Sequence, residues 1–168
     1  ASPQQRALFH QEFLEKVLAT PGAEAAGVVS TLPLSGRNTG IGIRIAGRPE
    51  PPSGEAPIVW WRSATPGYFR AMSIPLVQGR FFTEQDQSGS PAVALVNETM
   101  ARRIWPGEDP VGRQFSFGRR TPDGELEWVT VVGIVGDVRH TSLAQEPDAE
   151  FFIPYPQLPF ASAWVAVR

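Results

Sequence analysis

Proline and glycine occupy 33 of the 168 positions, 17 and 16 respectively. That is about a fifth of the chain, against roughly 12% in an average protein. Proline removes a backbone donor and fixes φ, and glycine gives up side-chain packing, so neither suits the interior of a long helix or a central strand. Such a chain holds short elements separated by many turns. Apolar residues make up 42% and charged residues 19%, enough to bury a core and exclude global disorder. The length fits one domain, or one domain of two lobes, at about 150 residues per domain.

Several function classes fall away on composition. There is no cysteine, which excludes disulfides, thiolate metal sites and a cysteine nucleophile. The net charge of −2, from 15 basic and 17 acidic residues, lacks the basic excess of a duplex-binding protein. No apolar run approaches the roughly 20 residues of a membrane helix, and no signal-peptide pattern opens the chain. The chain opens on Ala1, not methionine, which fits a piece excised from a longer protein.

The punctuation places the elements. Ser2, Pro3 and Gln5 form a capping box with proline at the first helical position, predicting a helix over 3–20 that Pro21-Gly22 ends. Phe9, Phe13, Leu14, Val17 and Leu18 recur at helical spacing as its apolar stripe. Strands are predicted at 25–32, 41–45, 58–64, 74–77, 91–96, 113–117, 127–138, 151–155 and 163–167. Thr65-Pro66 starts a short helix to about Met72, and Asn97 caps another through Trp105. Residues 47–57 carry Pro49, Pro51, Pro52 and Pro57 and read as a stiff projecting loop. Consecutive strands mixed with strand–helix units point to an α+β fold with mixed or antiparallel sheets.

Candidate chemistry is sparse. His140, with Asp137, Arg139 and Ser142, offers the parts of a hydrolytic site, but no Gly-x-Ser-x-Gly elbow marks a nucleophile. The simpler reading of His140 is a polar residue where a strand exits into a loop. The acid pairs Glu84/Asp86, Glu108/Asp109 and Glu125/Glu127 lie in turn-rich stretches, and Asp86 is expected to cap a turn or pair with Arg80. No metal-ligand spacing and no phosphate-binding loop is present, so neither metal nor cofactor is implied. The aromatic residues, including Phe81-Phe82, Phe151-Phe152 and Trp164, are expected mainly in the core. Trp60 and Trp61 are the candidates for an exposed partner surface, together with Arg37 and Asn38 in the polar loop 34–40.

Four segments together carry a family resemblance. They are Pro21-Gly-Ala-Glu-Ala-Ala-Gly-Val-Val-Ser30 with Leu32-Pro33-Leu34, then Thr65-Pro-Gly-Tyr-Phe-Arg-Ala-Met-Ser-Ile-Pro-Leu-Val-Gln-Gly-Arg-Phe81 with Asp86 after it. Next come Val93 to Arg113, with Asn97, Trp105, Pro110 and Gly112, and Val131-Val-Gly-Ile-Val-Gly-Asp-Val-Arg139 followed by Phe152-Ile-Pro-Tyr155. In this order they resemble the periplasmic core domain of MacB-like ABC-transporter permeases; the last two look most like the duplicated permeases of acidobacterial genomes.

The resemblance implies a porter-like α/β lobe with an inserted second, β-rich lobe, preceded by an N-terminal stalk helix. The lobes would be about 21–78 plus 160–168, and about 80–155. It implies a non-enzymatic domain between the first two membrane helices of an inner-membrane permease, on the periplasmic side, transmitting ATP-driven conformational change in export. Its implied partners are a cytoplasmic ABC ATPase subunit, a periplasmic adaptor and a second permease in a homodimer or pseudo-dimer, with no nucleic acid. No catalytic residue carries over; Gly67, Gly79, Gly112 and Gly133 would serve turns or close packing. The chain is shorter than the macrolide exporter's domain and contains no ATPase. The rival readings are a free-standing extracytoplasmic binding module using Trp60, Trp61 and the proline loop, and a small hydrolase using Asp137 and His140.

Overall fold

The computed structural model describes residues 2–35, 39–140, 144–160 and 162–168. A helix, α1 (Pro3–Leu18), is followed by strands β1 (Ala26–Val29), β2 (Gly40–Gly42), β3 (Arg44–Ile45) and β4 (Ile58–Ala64). Then come α2 (Pro66–Ala71), β5 (Leu76–Gly79), β6 (Val93–Asn97) and α3 (Glu98–Ile104). The chain ends with β7 (Gln114–Ser116), β8 (Val129–Val135), β9 (Glu150–Pro154), a 3-10 turn at Tyr155–Gln157 and β10 (Trp164–Val167).

Among the described residues all strands join one sheet in the order β10-β1-β4-β9-β6-β8-β7-β3, with β2 added on β4 and β5 on β8. The β4–β9 and β6–β8 pairs are parallel and the others antiparallel. The fold is therefore α+β with a mixed sheet, as expected. The sheet joins strands of both expected lobes, because β4 pairs with β9 and β3 with β7.

Two apolar cores lie on the two faces of this sheet. Successive side chains of a strand point to opposite faces, so Ala94, Val96, Phe151 and Ile153 enter one core and Val93, Leu95 and Phe152 the other. Helix α3 covers the first through Met100, Ile104 and Trp105; α2 covers the second through Tyr68 and Phe69. The adjacent Phe151-Phe152 pair is thus split between cores, where its rings meet Phe115 and Phe69 edge-on.

Local chemistry explains most element ends. Ser2 Oγ accepts from Gln5 N at 3.2 Å, and Gln5 Oε1 accepts from Ser2 N at 2.7 Å, closing the capping box. Asn97 Oδ1 accepts from Met100 N at 2.8 Å and starts α3. Gly79, at φ +76°, stands opposite Gly133 across β5–β8. A Cβ on either would collide with the other strand's backbone, so both positions need glycine.

Three expectations are corrected. The strand expected over 41–45 is two strands: β2 pairs with β4, β3 pairs with β7, and the fully buried Ile43 between them marks the change of partner. Thr65 holds the N-cap position of α2 but makes no side-chain cap; its hydroxyl accepts from Val28 N at 2.9 Å and ties the helix start to β1. The stripe of α1 is not a buried face. Leu14 and Val17 are half-buried, but Leu18 is exposed, and so are Phe9 (63%) and Phe13 (40%), which stack on each other. The helix rests on the body through His10, whose Nδ1 lies 2.9 Å from the Tyr155 hydroxyl.

Candidate functional site

The expected Asp137–His140 pairing does not form. Asp137 accepts from Thr99 N at 2.9 Å and Thr99 Oγ1 at 2.8 Å, with Arg102 Nη2 at 3.4 Å, so it fastens the first turn of α3. His140 instead places Nε2 at 2.7 Å from Glu150 Oε2. Ser142 lies outside the described residues. The two groups serve different elements, and the hydrolase reading loses its dyad.

What His140 joins is a buried ionic cluster that periodicity did not reveal. Arg62 on β4 and Glu150 on β9 stand side by side on parallel strands, two register steps apart, and the Arg62 guanidinium meets Glu150 Oε1 in an ion pair. Both side chains are almost fully buried, as is His140. Arg62 Nε also donates to the Thr31 carbonyl at 3.1 Å, and Glu150 N donates to Asn97 Oδ1 at 3.0 Å. Leu34 N donates to the His140 carbonyl at 2.9 Å, so the cluster ties the segments around 31–34 and 137–140 to the sheet. A charged residue inside the apolar run Ile58–Ala64, and another directly before Phe151-Phe152-Ile153, were the sequence signals for it.

Burial pushes the His140 imidazole down to about 3, and the neighbouring Arg62 charge acts the same way. Burial likewise lowers Arg62, to about 10, against the charges of Tyr68 and Asp148. Neutral His140 thus donates Nε2–H to Glu150 and leaves Nδ1 without a partner among the described residues. An unfolded histidine titrates near 6.5, so unfolding takes up a proton between about 6.5 and 3. Stability therefore falls as pH drops through that window, by up to about 1.4 kcal/mol per pH unit. Urea titrations at pH 7, 6 and 5 are expected to show this slope in the wild type and a shallower one in His140→Gln; equal slopes would place the cluster's proton elsewhere.

Asp86, Glu108, Asp109 and Glu127 of the acid pairs hold ion pairs or turn contacts. Asp86 takes both Arg80 nitrogens at 2.8 and 3.0 Å and Thr83 N at 2.7 Å, so it caps the turn and pairs with Arg80 as expected. Burial alone would raise its carboxyl; the Arg80 and Thr83 hydrogen bonds outweigh that and hold it below the usual range. Glu108 pairs with Arg113 at 2.8 Å and Asp109 accepts from Gln78 at 3.0 Å. No group of three metal-ligating side chains is present among the described residues.

The expected partner surface is divided. Arg37 and Asn38 lie outside the described residues. Trp60 and Trp61 are both half-buried. Trp61 packs on Phe117 and Phe160 and lines an open depression of about 400 Å³ with Ser30, Thr31, Thr39, Ser162 and Trp164. Trp164, expected in the core, is 46% exposed at the start of β10. The proline-rich loop lines a second open depression through Glu50, Pro51, Pro52 and Ser53, where Glu50 pairs with Arg44.

No cleft with convergent catalytic groups exists among these features, so the fold and the sequence must place the chain. The profile of the MacB-like periplasmic core domain matches residues 3–168. The chain belongs to this family. Among its relatives is the macrolide export ATP-binding/permease protein MacB of Rhodospirillum rubrum, 33% identical over 90 residues, which cover 53% of this chain and 13% of that protein. Another is the pyoverdine export ATP-binding/permease protein PvdT of Pseudomonas putida, 32% identical over 82 residues, or 48% of this chain and 12% of that protein. The alignments thus span about an eighth of these relatives.

The fold is shared with the periplasmic region of MacB from Actinobacillus actinomycetemcomitans, at TM-score 0.63 and 15% identity over 94% of this chain and 63% of that one. It is also shared with the extracellular domain of the noncanonic ABC-type transporter YknZ from Gram-positive bacteria, at TM-score 0.60 and 16% identity over 94% of this chain and 71% of that one. Among the described residues, the MacB-like domain has no helix long and apolar enough to cross a membrane.

Proposed function

We propose that this MacB-like domain is the extracytoplasmic part of an ABC-type export permease, and that it transmits movement without performing catalysis. The family match supports the reading, and one feature of the fold carries it. The first and last strands, β1 and β10, pair from Ala26↔Val167 to Val29↔Trp164, and Arg168 exchanges hydrogen bonds with Ala25. The first and last strands are therefore neighbours, an arrangement that fits a domain inserted between two consecutive membrane helices. In this reading α1 is the stalk that receives helix motion, and its exposed Phe9–Phe13 face lies free of the domain's core.

The lobe division at about 21–78 plus 160–168 and 80–155 belongs to the same proposal. A cytoplasmic ATPase would act through the membrane helices, with a second permease in a homodimer or pseudo-dimer and a periplasmic adaptor as further partners. That relatives are named for macrolide and pyoverdine export supports the outward direction.

The chain lacks cysteine, so a single introduced thiol reports topology cleanly. With Ser53→Cys in the exposed proline loop of the full-length protein, a membrane-impermeant maleimide is expected to label intact spheroplasts. Labelling only after lysis would overturn the extracytoplasmic placement. A labelling rate at Phe9→Cys that does not change when the ATPase is trapped with nucleotide would overturn the transmission of movement.

A further inference from the structure

The backbone of residues 48–52, Arg-Pro-Glu-Pro-Pro, has little freedom left. Three of the five are proline, with φ held near about −65°. Arg48, Glu50 and Pro51 each precede a proline, which pushes them out of the helical region to extended or polyproline II conformations. No residue from Arg48 to Ser53 has a positive φ, and no peptide bond is cis. The segment joins no strand, and among the described residues neither the Glu50 N–H nor the carbonyls of residues 48–51 bond to other backbone groups. An extended backbone without internal hydrogen bonds is that of a polyproline II helix.

Two glycine turns pin the ends of this segment. Arg48 N donates to the Ile45 carbonyl at 3.1 Å across Gly47, at φ +78°, and Glu55 N donates to the Pro52 carbonyl at 3.0 Å across Gly54, at φ +86°. Glycine at positive φ in the third position is the type II pattern. Side chains add two ties, Glu50 to Arg44 at 2.5 Å and Arg48 to Glu108 at 3.4 Å. A polyproline II helix has three residues per turn, so Pro49 and Pro52 stand on one edge, about 9 Å apart along the axis. Both are exposed, whereas Pro51 between them is half-buried. The open depression of about 500 Å³ that Pro51 and Pro52 help to line leaves room beside this edge.

We propose that the Pro49–Pro52 edge is a docking element for another protein, one whose groove is lined with aromatic side chains that read a polyproline II helix. Two proline rings at this fixed spacing, with Glu50 and Pro51 between them, are what such grooves recognise. Water can satisfy the free carbonyls in the unbound protein, so the selective contacts are the rings, which water does not replace. The two turns and the ion pairs hold the helix before the partner arrives, which lowers the ordering cost of binding. Arg48 adds a cation at the start of the edge, and its exposed pair with Glu108 is of a kind that contributes little, so it is free to exchange for a carboxylate on the partner. The docking element goes beyond the export reading and rests on this loop alone.

The probe is a panel of SH3 domains, whose aromatic grooves take this helix, titrated calorimetrically into the full-length protein in lipid nanodiscs. Saturable binding by at least one member is expected, with Kd below about 1 mM, on the order of the weakest specific complexes. Pro49→Ala and Pro52→Ala are each expected to weaken it by at least about tenfold, as the loss of an anchoring contact does. Both rings are exposed, so the melting temperature is expected to stay that of the wild type. Glu55→Ala, exposed and beyond the second turn, is expected to leave binding unchanged. A synthetic peptide of residues 45–55 is expected to bind the same member at least about threefold more weakly, because it must order its backbone on binding. No saturation by any member at about 1 mM would overturn the proposal. So would undiminished binding by both proline variants, or a peptide that binds where the protein does not, which would mean that the edge is covered in the full-length protein.

Discussion

Gly27→Ala is expected to destabilise the domain by about 3 kcal/mol or more, the upper end of overpacking effects. A Cβ at Gly27 would fall on the backbone of Gly67 and Tyr68 in α2. A Cβ at Gly67 would fall on the Ala26 carbonyl. The colliding atoms are main chain on both sides, so no side chain can swing away, and relief requires lifting α2 off β1. That lift would expose Tyr68 and Phe69, both fully buried, and disturb the Thr65–Val28 bonds that register the helix on the strand. Gly67→Ala is expected to match it, and the double variant to cost less than the sum because one displacement relieves both clashes. Gly112→Ala is the control: its φ of +86° brings strain but its surroundings are open, so about 1–2 kcal/mol is expected. Urea unfolding of the four variants checks this, and a Gly27→Ala loss below 1 kcal/mol would show that α2 is not clamped to the sheet.

This contact also marks how far the sequence could be read. Gly67 was visible as a position for close packing, through a family resemblance, but its counterpart Gly27 was not, because nothing local announces that residues 40 apart share one contact. Local chemistry was legible wherever it is self-contained: the Ser2–Gln5 box, the Asn97 cap, the Asp86–Arg80 turn and the apolar strand Ile58–Ala64. Partner choice was not. The run Ile41, Ile43, Ile45 keeps a strand period throughout, yet its two halves bond to β4 and β7, which alternation alone does not distinguish. The α1 stripe failed for a related reason, since helical spacing shows which residues share a face but not whether the domain supplies anything to cover it. For the site, His140 was picked out but given Asp137, its near neighbour in sequence, when the fold brings it to Glu150 and Arg62.

That cluster yields the second large effect. Glu150→Ala is expected to cost about 3–5 kcal/mol, because it leaves the Arg62 guanidinium buried without the carboxylate that balances it. His140 loses its acceptor at the same time, and a buried donor left unsatisfied costs about 1–3 kcal/mol. Replacing the ion pair as a unit, with Arg62→Met and Glu150→Leu, is expected to recover much of the loss, since apolar residues of similar volume remove both desolvation penalties. Recovery stays incomplete while His140 remains, and adding His140→Phe is expected to restore more. The cost should also be local before it is global. Arg62 holds the Thr31 carbonyl and His140 holds Leu34 N, so amide exchange at Leu34 is expected to accelerate in Glu150→Ala under conditions where β6 and β8 stay protected. Thr31 lines the depression beside Trp61, so the cluster fixes one wall of that depression from beneath. A Glu150→Ala loss under 1 kcal/mol with unchanged exchange at Leu34 would mean that water reaches Arg62, and that the segments around 31–34 and 137–140 are held in place by packing, not charge.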